Sequence, residues 1–188
     1  MHSRRFSAST TRTLIPLFLI VCSIFLSAGC RENATRAGSK VAFKKEDRSS
    51  AGETRMAVLK RIIDGDTIVL ADNEHVRYIG MNTPEIAHGG HPAEYYGPEA
   101  TDCNREVLGG DSGVELKLVF DERLRDRYGR LLAYVYAGPD FKTFVNEELL
   151  RRGCARIMSI PPDDRYGDRF KAVEQQARSK KLGLWDKE

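Results

Sequence analysis

The sequence predicts an α+β protein with a mostly β core: a five-stranded OB-fold barrel that carries three helices. Two observations predict this class. The region from 56 to 81 is predicted as three short strands separated by tight turns, the first of which alternates apolar and polar residues, and two more short strands follow. Three predicted helices lie after the first three strands, and the last two of them have apolar residues at helical spacing. Short strands joined in this way form small, mostly antiparallel barrels against which helices pack.

The first three strands are predicted as a meander with tight turns. Met56 to Ile63 alternates apolar and polar residues, and Asp64-Gly65 is a strong signal for a two-residue hairpin. Thr67 to Leu70 returns as the second strand. A turn at Asp72-Asn73 leads into a third strand from His75 to Met81.

The rest of the domain supplies two strands and three helices. Residues 82–97 are rich in glycine and proline and have no period, so they are predicted as a loop. Pro98 suits the first turn of a helix, and Gly109 suits its end. The predicted helices are 98–108, 143–152 and 165–181, and the predicted strands are 114–120 and 130–136.

The first 29 residues are predicted to be a signal peptide. Arginines precede an apolar run from Leu14 to Leu26, and small residues close it before Cys30. This pattern resembles a bacterial lipobox, so we expect lipidation of Cys30 and a location in the cell envelope, outside the cytoplasm. The alternatives are a plain signal peptide, which would leave a secreted protein, and an uncleaved anchor.

Residues 30–55 are predicted to form a flexible tether and residues 56–188 the folded domain, which we expect to be a monomer. The tether has few large apolar side chains. Without residues 1–29 the chain has 27 basic and 27 acidic residues, so its net charge is zero. The sequence pI of about 8.7 is therefore no evidence for a polyanionic partner.

Two cysteines, Cys103 and Cys154, lie in the folded part. Outside the cytosol they could form a disulfide, and otherwise they would be buried thiols that act as small apolar residues. The sequence does not give their separation, so both states remain open.

The chemically most informative residues lie between 63 and 85. Asp66 and Asn82 offer the oxygen ligands that hard divalent cations prefer. Arg77 offers a planar fork of donors suited to a phosphate. Glu85 is placed to accept a proton from water. A cation, a phosphate clamp and a base are the groups that phosphodiester hydrolysis requires.

Six motifs in this order and spacing resemble the staphylococcal (micrococcal) nuclease, or thermonuclease, family. The resemblance covers residues 57 to 185. The motifs are Ile63-Asp64-Gly65-Asp66-Thr67, Thr83-Pro84-Glu85, Tyr96-Gly97-Pro98-Glu99-Ala100, the run from Asp126 to Tyr134, Val145-Asn146-Glu147 and Leu182-Gly183-Leu184-Trp185.

The resemblance implies a Ca²⁺-dependent enzyme that cuts DNA and RNA and leaves 3′-phosphate ends. It implies Asp66 as a direct metal ligand, Asn82 at the second carboxylate position, and the backbone carbonyl of Thr83 as a third ligand. Glu85 is then the implied general base.

The resemblance also assigns the residues that hold the substrate. Arg77 and Arg130 become the phosphate clamp. Arg127 and Tyr128 match positions that contact the terminal phosphate region of the nucleotide.

Two positions depart from the family pattern. Asn82 replaces a second aspartate, which removes one negative charge and predicts weaker calcium binding. Ser159 and Pro161 stand where the family has tyrosines that stack on bases, which predicts weaker or differently placed substrate binding. A binding module that has lost catalysis is therefore the alternative to a nuclease.

Some of these residues also have structural interpretations. Asp64 could simply shape the hairpin turn, and Arg130 could pair with Asp126 on the surface. His88 and His91, three residues apart, could bind a transition metal, but we favour an exposed flexible loop.

Overall fold

The computed structural model describes residues 51–187. The predicted signal peptide, Cys30 and most of the predicted tether lie outside the described residues. Within 51–187, no helix has the length and apolar character needed to cross a membrane.

Five strands close into a barrel, as the sequence predicts. They are β1 (Thr54–Ile62), β2 (Thr67–Leu70), β3 (His75–Tyr78), β5 (Glu115–Val119) and β6 (Leu131–Ala137). Antiparallel pairing joins β3, β2, β1, β5 and β6 in that order, and parallel pairing of β3 with β6 closes the ring. Inward residues such as Ile68, Val76 and Leu118 are fully buried. The fold class is thus confirmed.

The predicted third strand is wrong in its second half. The chain turns at Ile79, and a separate strand β4 (Gly80–Asn82) begins at Gly80, whose φ of 80° favours glycine. A Cβ at Gly80 would lie 2.7 Å from the Phe170 ring. Alternating apolar residues carry no signal for this turn. As a result, β4 leaves the barrel and pairs with a strand that the sequence did not reveal, β8 (Arg156–Met158).

The three predicted helices are present with small changes. They are α1 (Gly97–Leu108), α2 (Val145–Arg151) and α3 (Gly167–Ser179). The predicted second helix began two residues too early, because Thr143–Phe144 form a short strand β7 that pairs with the end of β6. Gly109, in the left-handed region at φ 85°, ends α1 as expected.

A disulfide joins Cys103 in α1 to Cys154, three residues beyond the end of α2, with a Cα–Cα distance of 6.5 Å. The structure therefore selects the disulfide over two free thiols. Both cysteines are buried and belong to the main core, so the bond fixes α1 against the segment that leads into β8.

Candidate active site

The loop between β1 and β2 brings Asp66 to the barrel surface. The predicted two-residue hairpin is wrong: residues 63–66 form the loop, and the amides of Ile63 and Asp64 both donate to the carbonyl of Thr67. The amide of Asp66 donates to Asp64 Oδ1 at 3.0 Å, which explains the wider turn. Asp64 therefore shapes the turn, in agreement with its structural interpretation.

Gly65 lets this loop pack directly on Thr83. A Cβ at Gly65 would lie 2.6 Å from the Thr83 side chain, closer than real atoms approach. The same contact lets Asp66 Oδ2 accept hydrogen bonds from the Thr83 amide at 2.8 Å and from its hydroxyl at 3.1 Å. The buried Asp66 carboxylate is thereby fixed relative to the end of β4.

Arg77 connects the two candidate metal ligands. It lies on β3 directly opposite Thr67 and is only 8% exposed. Its Nη1 is 2.5 Å from Asp66 Oδ2, and its Nη2 donates to Asn82 Oδ1 at 2.5 Å. The structure thus brings together Asp66, Asn82, Thr83 and Arg77, four residues that the sequence singled out.

The donor set of this cluster suits a hard cation. It consists of the Asp66 carboxylate, the side-chain oxygen of Asn82 and the carbonyl oxygen of Thr83, which also accepts a bond from Asn82 Nδ2 at 2.9 Å. Oxygen ligands of mixed charge are those that Ca²⁺ takes. Across residues 51–187 no three His, Cys, Asp or Glu side chains form a metal-binding group.

Asp64 adds a second carboxyl group beside Asp66. Burial, followed by the charge of Asp66, raises the pKa of Asp64 to about 6. Two neighbouring carboxylates would repel each other if both were ionised, so this pair favours a nearby positive charge. Arg77 supplies one in this structure.

A buried network holds the other side of the loop. The Tyr78 hydroxyl donates to Asn104 Oδ1 at 3.1 Å, and Asn104 Nδ2 donates to the Asp64 carbonyl at 3.1 Å. Burial raises the pKa of Tyr78 above its usual range, an effect that the bond to Asn104 opposes. Tyr78 therefore stays a neutral donor, and α1 is tied to the loop that carries Asp66.

Arg130 lies immediately before β6 and faces the same cavity as Arg77. This cavity has a volume of about 110 Å³, and its remaining walls include Leu132, Met158 and Ile160. Arg130 Nε donates to Asp126 Oδ2 at 2.7 Å, so the pairing with Asp126 that the structural interpretation suggests is present, in a partly buried position. Because Arg130 still lines the cavity, the ion pair and the proposed phosphate contact are compatible.

Arg127 and Tyr128 form the exposed tip of the turn that precedes Arg130. Arg127 Nη2 donates to the Tyr128 hydroxyl at 2.6 Å, and its guanidinium lies 4.7 Å from the ring centre. Arg130 contacts the same ring at 5.5 Å. Tyr128 is 69% exposed, which leaves its ring open to a ligand.

Glu85 lies apart from the buried cluster, on the exposed loop that follows β4. Its amide donates to Glu94 Oε2 at 3.1 Å, and the Glu94 amide returns a bond to the Glu85 carbonyl at 2.9 Å. The backbone of Glu85 is therefore held by Glu94, while its side chain remains accessible. Glu94 is a positioning residue that sequence reasoning missed, since an isolated glutamate in a loop carries no signal.

Gly97 is a second residue whose role only the structure reveals. A Cβ there would lie 2.3 Å from the Glu85 carbonyl oxygen. The first residue of α1 therefore packs directly under the loop that carries Glu85. Gly97 lies in one of the motifs on which the family resemblance rests, and this membership is the sequence feature that could have indicated its importance.

The loop that follows β8 is held by the Arg123–Asp163 ion pair, which the sequence analysis also did not identify. Arg123 Nε donates to the buried Asp163 Oδ2 at 2.6 Å, and Arg123 Nη2 donates to the Ile160 carbonyl at 2.8 Å. Met158 and Ile160, rather than Ser159 and Pro161, thereby line the cavity. The apolar side chains in the cavity wall are thus neighbours of the two positions at which the resemblance implied stacking tyrosines.

Comparisons with known proteins agree with this geometry. A family model described as staphylococcal nuclease homologue matches residues 75–187. The chain is 34% identical over 148 residues to a thermonuclease of Staphylococcus intermedius, covering 77% of this chain and 83% of that protein. It is 36% identical over 146 residues to a thermonuclease of Staphylococcus hyicus, covering 76% and 82%.

A relative from Bacillus subtilis has a higher sequence identity than these two thermonucleases, but this chain covers a smaller share of it. The chain is 43% identical over 134 residues to endonuclease YncB of Bacillus subtilis, covering 69% of this chain and 61% of that protein. The family model spans more than half of the chain and includes β3, β4 and the segment from Asp126 to Arg130. These matches, together with the closed barrel, show that the chain belongs to the staphylococcal nuclease family.

Proposed function

We propose that this nuclease is a Ca²⁺-dependent endonuclease that hydrolyses DNA and RNA with little sequence specificity. The observation that carries the proposal is the position of Arg77. This side chain contacts Asp66 and Asn82 and also lines the cavity that Arg130 faces. Arg77 thus connects the candidate cation ligands to the cavity that Arg130 lines, which supports a phosphate site beside this arginine.

The two arginines would stabilise charge on the phosphate. When water attacks phosphorus, negative charge accumulates on the equatorial oxygens, and fixed donors lower the energy of that state more than the energy of the ground state. Ca²⁺, held by Asp66, Asn82 and the Thr83 carbonyl, would supply further positive charge at these oxygens. Removal of one such donor typically lowers the rate by about 10²–10³.

Glu85 would accept the proton of the attacking water. A new bond forms between the water oxygen and phosphorus, the bond from phosphorus to the 5′ oxygen breaks, and the leaving 5′ oxygen takes up a proton from solvent. The products are a 3′ phosphate and a 5′ hydroxyl. A carboxylate is ionised near neutral pH and can take the proton. The accessible side chain of Glu85 supports this role.

The shape of the cavity supports low sequence specificity. Leu132, Met158 and Ile160 offer apolar contact. Such contact does not depend on the hydrogen-bonding pattern of a base edge, so it would accept purines and pyrimidines alike.

We propose that the enzyme works in the cell envelope, anchored by a lipid on Cys30, or is secreted. The pattern around Leu14–Leu26 and Cys30 supports this location. The Cys103–Cys154 disulfide adds support, because such bonds persist outside the reducing cytosol. A monomer is the simplest state for a site built within one chain.

One observation favours a catalytically weakened nucleic-acid-binding module as the alternative. Asn82 gives the cation site one carboxylate fewer, and Arg77 already occupies oxygens of both Asp66 and Asn82. A calcium ion would have to compete with this guanidinium.

One experiment separates the two functions. Purified full-length chain is incubated with single- and double-stranded DNA and with RNA, first with millimolar Ca²⁺ and then with a chelator. Cleavage of all substrates that stops with the chelator supports the proposal. Retention of labelled nucleic acid without cleavage at millimolar Ca²⁺ supports the binding module instead.

A further inference from the structure

The segment His88-Gly89-Gly90-His91 forms a hydrogen-bonded turn at the tip of the exposed loop that follows β4. The amide of His88 donates to the His91 carbonyl at 3.1 Å, and the amide of His91 donates back to the His88 carbonyl at 2.9 Å. Gly89 and Gly90 both have positive φ, at 57° and 84°, as a tight two-residue turn of this kind requires. Two reciprocal bonds therefore lock the backbones of the two histidines opposite each other.

This pairing places both imidazoles on one face of the hairpin. Residues that exchange both backbone hydrogen bonds in an antiparallel pair have Cα atoms about 5.5 Å apart, and their side chains point to the same side. Both histidines are exposed, so their rings can rotate toward a shared ligand. Two imidazoles at this separation can bind one metal ion together.

Carboxylates face the same space. A cavity of about 570 Å³ is lined by His88, His91, Glu94 and Glu85. Glu94 reaches into this region from the returning strand of the loop, where its Oε2 accepts the Glu85 amide at 3.1 Å. A carboxylate has two oxygens with several lone pairs, so Glu94 can hold the Glu85 amide and still offer an oxygen to a cation.

We propose that His88 and His91, together with the Glu94 carboxylate, bind a borderline divalent cation of the Zn²⁺ class. Two imidazole nitrogens and one carboxylate are a ligand set that Zn²⁺ accepts, with water in the fourth position. Imidazole is a poor ligand for Ca²⁺, which takes oxygen ligands. The site is therefore chemically distinct from the cluster at Asp66.

Within residues 51–187 the side chains of this loop do not already stand in a metal-binding arrangement. Binding therefore requires rotation of the exposed histidine rings about a backbone that the turn has fixed. The turn fixes the backbone positions of the two histidines in advance, and metal binding then fixes the orientation of their rings.

Zinc binding by the full chain is measured by competition with a chromophoric chelator, without nucleic acid. We expect one Zn²⁺ per chain at this site, at least tenfold weaker binding in each of His88→Ala, His91→Ala and Glu94→Gln, and no effect of millimolar Ca²⁺. His75→Ala is the matched control, because His75 is also exposed but lies on β3, and it should leave zinc affinity unchanged.

A second measurement uses only the unmodified chain, so folding defects in the variants cannot affect it. In the unmodified chain, zinc should shift the imidazole proton resonances of His88 and His91 and leave those of His75 in place. Equal zinc affinity in the unmodified chain and in the double variant His88→Ala/His91→Ala would overturn the proposal. So would resonance shifts confined to His75. Neither measurement uses cleavage, so failure of the proposed nuclease function leaves the test intact.

Discussion

Asn82 determines the charge of the candidate calcium site. Its side-chain oxygen accepts a hydrogen bond from Arg77, and its amide donates to the Thr83 carbonyl. Replacement by aspartate restores a negative ligand without a change in size. We predict that Asn82→Asp binds Ca²⁺ about tenfold more tightly, because affinity at such sites follows ligand charge.

Calorimetric titration of the unmodified chain and Asn82→Asp with Ca²⁺ checks this prediction. Asn73→Asp, at the exposed turn between β2 and β3, adds the same charge away from the cluster and serves as control. Identical calcium affinity in all three proteins would remove Asn82 from the ligand set.

Glu85 is the residue on which the proposed chemistry most depends. Glu85→Gln keeps the shape of the side chain and the backbone bonds to Glu94 but removes the proton acceptor. We predict a loss of about 10²–10⁴ in kcat with nucleic-acid affinity retained. Single-turnover cleavage and a binding assay measure the two effects separately. Glu115→Gln, an exposed glutamate at the start of β5, is the control and should keep full activity.

Asp64 makes stability depend on pH in the absence of calcium. Its folded-state pKa of about 6 lies above the ordinary carboxyl value of 3.8, mainly because of burial. The folded state therefore favours the protonated form, and this contribution to stability is fully present below pH 3.8 and is lost as the pH rises from there through about 6.

Asp64→Asn removes this titration and keeps an oxygen that can accept the Asp66 amide. In chelator at pH 7 we predict that the variant is roughly 1–2 kcal/mol more stable than the unmodified chain, a value reduced for partial solvent exposure. The difference should shrink toward pH 4. Urea unfolding at several pH values measures it, and a constant difference across this range would contradict the assignment.

Helix α1 positions the loop that carries Glu85. Its first residue, Gly97, approaches the Glu85 carbonyl so closely that a Cβ would lie 2.3 Å away. We predict that Gly97→Ala costs about 1–3 kcal/mol in stability and also lowers kcat, because the backbone of Glu85 must move.

Gly110→Ala is the matched control for Gly97→Ala. Its new Cβ would meet only the Val114 side chain, at 3.3 Å, beyond the far end of α1. It should therefore have a smaller effect on stability and none on kcat. Unchanged cleavage by Gly97→Ala would show that Glu85 does not depend on this contact.

Short strands bounded by turn signals and helices with clear end signals could be predicted from the sequence, because local pattern determines them. Thr67–Leu70 and α1 agree with prediction to within a residue. The pairing of β4 with β8 could not be predicted, since it depends on a turn at Gly80 and on contact across 74 to 78 residues of chain. Met81 and Ile157 look like ordinary core residues in sequence.

The residues of the candidate site also fall into two groups, those that the sequence indicated and those that only the structure identified. Asp66, Arg77, Asn82 and Thr83 lie within 17 residues of one another in a recognisable pattern, and the structure brings their side chains into contact. Glu94, Gly97 and the Arg123–Asp163 pair act through backbone contacts that have no sequence pattern of their own. Sequence indicated the groups suited to the chemistry, and the structure identified the residues that hold them in place.

At the scale of the whole molecule, the Cys103–Cys154 disulfide links parts of the chain 51 residues apart. Closing a loop of this length removes entropy from the unfolded chain worth about 4 kcal/mol. We predict that Cys103→Ala/Cys154→Ala is less stable by about this amount in denaturant unfolding. Reductant should destabilise the unmodified chain similarly and leave the double variant unaffected. Equal stability of the two proteins in oxidising buffer would contradict the prediction.

The same disulfide would make the enzyme depend on the redox state of its surroundings. Cys103 lies in the middle of α1, and the first residue of that helix supports the backbone of Glu85. In a compartment that keeps thiols reduced, a newly made chain would lack this link, and both its fold and its candidate base would be less firmly held. At the proposed location outside the cytoplasm, oxidation would complete the enzyme only after it has been separated from the nucleic acids of the cell that makes it.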